Sequence, residues 1–273
     1  MKTESFTGFV AANNANLFSE IGGSGTPFVM IHAGVADNRQ WNNEFPAFAK
    51  KYRVMRYDMR GYGKSELVEG DFTHIADLEV LLETLQIREP MVLMGCSMGG
   101  GLAMDFTITH PALVKALIMV DSGPSGLNLD VPESDKFADV EKAFKEGDLD
   151  LVSEIETQIW FDGTGRTPQQ VDQNARKLLF EMNRIALGHE VKELGKRKPN
   201  LEKLAAERLH EIHCPVLVIV GANDELYSLA AADYMEKHIK SARKVVIEDA
   251  AHLPNMEHPQ QFFEVVSDFL DNL

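Results

Sequence analysis

Residues Leu93–Leu102 read LMGCSMGGGL. An apolar run precedes Ser97, small residues flank it, and a segment of helical spacing follows. MVLMGC (Met91–Cys96) reads as a buried strand and MGGGLAMDFTITH as the helix after it. Gly95, Ser97 and Gly99 form G-x-S-x-G. Between a strand and a helix, that motif is a tight turn that puts the serine in strained φ/ψ and lifts its Oγ clear of the sheet. Side chains two residues to either side would collide, which calls for glycine there. The helix N-terminus also favours developing negative charge at this point. The competing reading makes Ser97 a helix N-cap, with glycines that only ease packing.

Outward from this turn the same alternation recurs. Thr7 to Ile21, around ANNAN, reads as a hairpin. PFVMIHA (Pro27–Ala33), YRVMRYD (Tyr52–Asp58), VKALIMVD (Val114–Asp121), CPVLVIVG (Cys214–Gly221) and ARKVVIED read as strands. WNNEFPAFAKK, HIADLEVLLETLQI (His74–Ile87), LAAADYMEKHI and HPQQFFEVVSDFL read as the helices between and after them. Strands that are apolar throughout, alternating with helices, indicate a mostly parallel sheet covered on both faces. From about Gly123 to His213 charged helical segments follow one another without strands. The expected organisation is an α/β core from residues 1–122 and 214–273, with residues 123–213 inserted as a helical cap over the strand ends. Ligands of open parallel sheets sit at those ends.

The 273 residues carry a formal net charge of −15, with 44% hydrophobic and 25% charged residues. This balance suits a sizeable core and disfavours nucleic acid and anionic membranes as partners. The two cysteines, Cys96 and Cys214, lie beside apolar runs and suit buried free thiols. The first residues lack the apolar core of a signal peptide. No stretch approaches a membrane span. The expectation is a soluble, cytoplasmic protein, a monomer or small homo-oligomer, that needs no cofactor and no metal.

A serine nucleophile requires an imidazole base and a group that orients it. His252 follows the last strand in the loop AAHLPNMEHP, where Pro254 stiffens the chain. His238 lies in a charged helix and suits a solvated surface, while His258 precedes Pro259 and suits a cap. His32 ends a strand and suits a structural hydrogen bond. HEIHC (His210–Cys214) lacks the H-E-x-x-H spacing that would put two imidazoles on one helical face. Asp224, just past the strand VLVIVG, fits the orienting acid in the chain order Ser–Asp–His. Asp121 ends a neighbouring strand and competes for the same role. The amides of Met98 and of Gly34, in the loop IHAGVADNRQW, are candidate donors to an oxyanion, with Val35 in reserve. Val35, Trp160, Phe161, Leu226 and Leu253 are the candidate substrate-contacting residues.

With HAG (His32–Gly34), YDMRGYGKS (Tyr57–Ser65), GCSMGG (Gly95–Gly100), GANDE (Gly221–Glu225) and AAHLPNMEHP (Ala250–Pro259) in this order, the chain resembles the α/β-hydrolase superfamily along nearly its whole length. Within it, the small capped carboxylesterases and lactonases, enol-lactonase-like members included, are most similar. The resemblance implies a mostly parallel, eight-stranded type of sheet and an inserted cap. It also implies Ser97, Asp224 and His252 as a triad, Met98 and Gly34 as anion donors, and a small ester or lactone as substrate. Ala33 departs from the His-Gly pair common in the family. GKS in YDMRGYGKS is not a P-loop, because Asp58 stands where that motif needs glycine; Asp58 and Arg60 are expected to brace turns. Serine at position 97 disfavours the aspartate-nucleophile relatives, the haloalkane dehalogenases and epoxide hydrolases. A carbon–carbon bond hydrolase, a cofactor-free perhydrolase and a ligand receptor built on a hydrolase scaffold are the alternatives.

Overall fold

The computed structural model describes residues 5–273. Among the described residues there are ten strands: β1 Phe6–Ala12, β2 Ala15–Gly23, β3 Pro27–Ile31, β4 Arg53–Tyr57, β5 Gly70–Phe72, β6 Met91–Cys96, β7 Val114–Val120, β8 Gly195–Arg197, β9 Val216–Gly221 and β10 Ala242–Ile247. The α-helices are α1 Glu44–Phe48, α2 His74–Thr84, α3 Met98–Thr109, α4 Lys136–Glu146, α5 Leu149–Thr157, α6 Gln173–Glu190, α7 Leu226–His238, α8 Pro254–Glu257 and α9 Pro259–Asp271. Eight strands form one sheet in the order β1-β2-β4-β3-β6-β7-β9-β10. β1, β2 and β4 pair antiparallel, and every other pairing in the sheet is parallel.

Apart from the exposed Lys115 near the start of β7, the central strands are apolar because both of their faces are covered, and the side chains alternate between two cores. Val29, Ile31, Leu93, Leu117, Met119, Val216 and Val218 face a core completed by Leu78 and Leu81 of α2, Phe106 of α3 and Met235 of α7. Phe28, Met30, Val92, Met94, Ile118, Leu217 and Ile219 face the other, completed by Trp41, Phe48 of α1 and Phe262 of α9. Burying each such Leu, Ile or Val stabilises the fold by about 1.5–3 kcal/mol.

The chain runs from β3 out to β4 and returns to β6 on the other side of β3. This reversal leaves a crevice beyond the carboxyl ends of β3 and β6, where open α/β sheets bind ligands. The turn bearing Ser97 and the loop bearing Gly34 both open onto it.

The connection between β7 and β9 holds α4, α5 and α6, but it is not free of strands. β8 (Gly195–Arg197) pairs in parallel with β5 (Gly70–Phe72) and ties this connection back to the core. Gly-Lys-Arg carries no apolar alternation, so period alone does not reveal it. After α5, residues Gln158–Asp162 widen into a π-turn that carries Trp160. Cys96 and Cys214 are free thiols, the first buried and the second only half-buried. No helix among the described residues is long and apolar enough to cross a membrane.

Candidate active site

Ser97 has φ +51° and ψ −117°, between the end of β6 and the start of α3. It occupies the N-cap position but makes no capping hydrogen bond. Its backbone is held instead: Ser97 N donates to Val120 O at 2.9 Å, and Ser122 Oγ donates to Ser97 O at 2.6 Å. A Cβ at Gly95 would lie 2.1 Å from Gly99 O, and one at Gly99 would lie 2.4 Å from His32 O. The strained serine therefore exists only because its neighbours have no side chains.

His252, in the loop between β10 and α8, places Nδ1 2.7 Å from Asp224 Oδ2. Both residues are almost fully buried. Asp224 follows β9, and its Oδ1 accepts the Glu225 N–H at 2.7 Å. Ser97 and His252 line one cavity of about 330 Å³, shared with Trp160, Phe137, Tyr227 and Glu133. Trp160 lies over the imidazole, ring centroids 4.4 Å apart.

Opposite this cavity, the backbone N–H groups of Gly34, Val35 and Met98 have no protein acceptor among the described residues. Ala33 N is already engaged with Gln40 Oε1 at 2.8 Å, so it is not free to bind an anion. A Cβ at Gly34 would lie 3.6 Å from Met98 Cβ, which brings the loop after β3 against the start of α3. Gly34 and Val35 open onto a second cavity of about 490 Å³, bordered by Tyr62 and Arg197. The Met98 side chain contacts both Tyr62 and Arg197.

His32 supports this loop as a neutral imidazole. Burial lowers its pKa to about 4, against an opposing hydrogen bond to Ala33. Nδ1–H donates to Ala33 O at 2.7 Å, and Nε2 accepts the Met59 N–H at 2.9 Å. Asp58 accepts from Asn38 N and Lys64 N, and Arg60 pairs with Asp77 of α2 at 2.7 Å and donates to Asn14 Oδ1 in the β1–β2 turn at 2.6 Å, so both brace turns as expected.

Two groups of supporting residues have no signal in the sequence. Gln40 Nε2 donates to Asn255 Oδ1 at 3.3 Å, and Asn255 Nδ2 donates to Gln40 O and to Glu44 Oε2. This buried chain joins the loop after β3 to the loop of His252. Arg166, in the β7–β9 connection, is the second. It donates to Phe161 O and Asp162 O at 2.8 Å each, to Asp249 O, and pairs with Glu257 at 2.7 Å. Glu257 in turn accepts the Ala251 N–H at 2.6 Å, and His252 N donates to Trp160 O at 3.1 Å. Gly163, with φ +70°, packs where a Cβ would stand 2.5 Å from Asn223 O. The partners of these side chains lie in loops far apart along the chain, and that is why no local pattern announces them.

Glu44 in this chain gives a measurable pH effect. Burial raises its pKa to about 8, against a hydrogen bond from Asn255 and the charge of Arg56. A carboxyl raised above its unfolded value stabilises the fold fully below that value, about 4.5, and the contribution is lost as pH rises through about 8. Glu44→Gln is therefore expected to gain on the wild type with rising pH, by about 5 kcal/mol at the alkaline end. Urea unfolding at several pH values checks this; parallel curves for the two proteins would refute it.

Several expected contacts lie elsewhere. Phe161 and Leu253 are fully buried in the second core and line neither cavity, because loop residues carry no period from which their facing can be read. Leu226 begins α7 and is half exposed, outside both cavities. Trp160 and Val35 do border cavities. His258 occupies an N-cap, but its ring points to Asp249 O at 3.2 Å and makes no cap bond. Oxygens of Asp121 and Asp224 and a nitrogen of His252 lie within 4.8 Å of one another. The 2.7 Å separation of His252 Nδ1 and Asp224 Oδ2 is a hydrogen bond, whereas ligands of a tetrahedral ion stand roughly 3.3 Å apart or more. The cluster fits proton transfer, not an ion.

A family described as alpha/beta hydrolase fold matches residues 26–259. The pimeloyl-[acyl-carrier protein] methyl ester esterase of Aeromonas hydrophila is 27% identical over 260 residues, covering 91% of this chain and 96% of that protein. The 3-oxoadipate enol-lactonase 1 of Acinetobacter baylyi is 27% identical over 239 residues, covering 87% and 85%. The crystal structure of the enol-lactonase from Burkholderia xenovorans LB400 superposes with a TM-score of 0.78 at 23% identity, covering 97% of this chain and 100% of that one.

Proposed function

This chain belongs to the α/β-hydrolase fold family, and from that premise we propose that it is a serine hydrolase that cleaves a carboxylic ester or lactone of a small substrate. The observation that carries this reading is a single cavity lined by a serine on a φ +51° turn, whose hydroxyl makes no capping hydrogen bond, and by an imidazole hydrogen-bonded to a buried carboxylate. In the proposed reaction, Ser97 Oγ attacks the carbonyl carbon while His252 takes its proton. Asp224 holds the Nδ1–H and stabilises the imidazolium that forms. The N–H groups of Met98 and Gly34 receive the developing oxyanion; one such donor contributes about 3–4 kcal/mol. His252 then gives its proton to the leaving oxygen, and water cleaves the acyl-enzyme by the same steps. The β7–β9 connection, residues 123–213, serves as the cap, with Trp160 against the substrate on one side and Val35 on the other. No metal or organic cofactor takes part in these steps.

A serine-directed fluorophosphonate tests the assignment. Mass spectrometry of the labelled protein is expected to find the adduct on Ser97, at a rate that collapses in His252→Ala. A label elsewhere, or none, ends the proposal. Short p-nitrophenyl esters, γ-lactones and enol-lactones then rank the substrate classes by kcat/KM.

A further inference from the structure

We propose that Asp121 is a positioning residue that keeps a proton and donates it in a hydrogen bond to Asp224, so that the acid behind His252 is two carboxyl groups sharing one proton. The inference rests on the serine-hydrolase reading above and extends it to a residue which that mechanism leaves idle.

Asp121 follows β7 and is 2% exposed. Its Oδ1 accepts the Gly221 N–H at 2.8 Å. Its Oδ2 is fully buried and has no hydrogen-bond partner among the described residues. An unpaired buried carboxylate oxygen is costly, and a protonated one with an acceptor beside it is not. The acceptor is Asp224, a carboxylate oxygen of which lies within 4.8 Å of an oxygen of Asp121. Asp224 already accepts from His252 Nδ1 and Glu225 N.

The two carboxyls are pushed in opposite directions. Burial, followed by the charge of Asp224, holds Asp121 well above the usual carboxylate range. Burial also acts on Asp224, but the charge and hydrogen bond of His252 outweigh it and draw its pKa down. Such a split identifies which group is acid and which is base. The titratable groups facing Asp121 are Asp224 and His252 from the neighbouring loops, Glu257 of α8, and the Cys96 thiol at the end of β6. The negative neighbours among them reinforce retention of the proton.

Two variants separate this role from a merely structural one. Asp121 has φ +43°, a conformation that Asn and Gly both tolerate. Asp121→Asn keeps an acceptor for Gly221 N and offers an N–H to Asp224. Asp121→Gly removes both. The donated hydrogen bond withdraws charge from Asp224, so losing it makes His252 easier to protonate. The acid limb of kcat/KM is expected to move up by about one pH unit in Asp121→Gly and to stay in place in Asp121→Asn. At a fixed pH below the limb, the glycine variant then loses roughly tenfold and the asparagine variant less than about twofold. Infrared difference spectra of wild type minus Asp121→Asn are expected to contain a carboxylic-acid C=O band at neutral pH. If both variants shift the limb alike, or no such band exists, the shared proton is refuted. The infrared experiment needs no turnover, so it stands even if Ser97 fails to label and the hydrolase reading falls.

Discussion

Ser97→Ala is expected to leave a folded protein whose hydrolysis of p-nitrophenyl butyrate falls by about six orders of magnitude, the scale seen when a nucleophile of such a unit is removed. The loss is expected in kcat, with KM little changed, because Oγ acts on the reacting carbon and not on the rest of the substrate. Stability serves as the control. The φ of +51° costs the serine about 1 kcal/mol or more, and alanine inherits that strain. Ser97→Gly relieves it, so this variant is expected to be equally inactive and yet to unfold at higher urea than Ser97→Ala. A protein retaining more than a tenth of its turnover without the hydroxyl would overturn the covalent mechanism. Asp224→Asn is expected to fall near 10,000-fold, through a mis-set imidazole tautomer.

The second large effect concerns folding. Gly99→Ala would put a methyl carbon 2.4 Å from His32 O and 2.5 Å from Ile31 O. Both are main-chain atoms at the end of β3, so no side chain can rotate away. The start of α3 would have to lift from the sheet, at an expected cost of more than about 4 kcal/mol. Soluble yield and urea midpoint measure it. Gly101→Ala is the matched comparison: its nearest atom outside the helix is Gly123 O at 3.8 Å, an ordinary contact. Removing a helical glycine there is expected to stabilise by about 0.5–1 kcal/mol. Equal effects at positions 99 and 101 would contradict the packing described.

This pair of glycines illustrates what the sequence can and cannot reveal. GGG at 99–101 is one string, and the motif ranks its first member only because strand and helix meet there. The sheet was legible because its central strands are apolar on both faces, and the hairpin because ANNAN turns a patterned segment back. The separate places of Ser97, Asp224 and His252 follow from strand ends, which sequence locates well. The neighbourhood of Asp121 and Asp224 was legible only as a choice between two acids, since which strand lies beside which is a matter of topology. β8, Gln40 and Arg166 stayed hidden because their partners are main-chain groups or distant polar side chains. Phe161 and Leu253 were misplaced for a related reason: an apolar residue in a loop beside a site does not declare which way it points.

Arg166 has one more consequence, for anyone who exchanges this segment between relatives. It grips the π-turn, the carbonyl of Asp249 and the helix that backs the imidazole loop, while Gly163 lies flush against Asn223. A chimaera that imports foreign helices for new selectivity, but cuts outside these two residues, would import a mismatched hinge for its own base. The portable cassette therefore starts after this arginine and retains Arg176, which pairs with Asp162 of the same turn at 2.8 Å; grafts spliced in this way should stay competent where wider ones go silent.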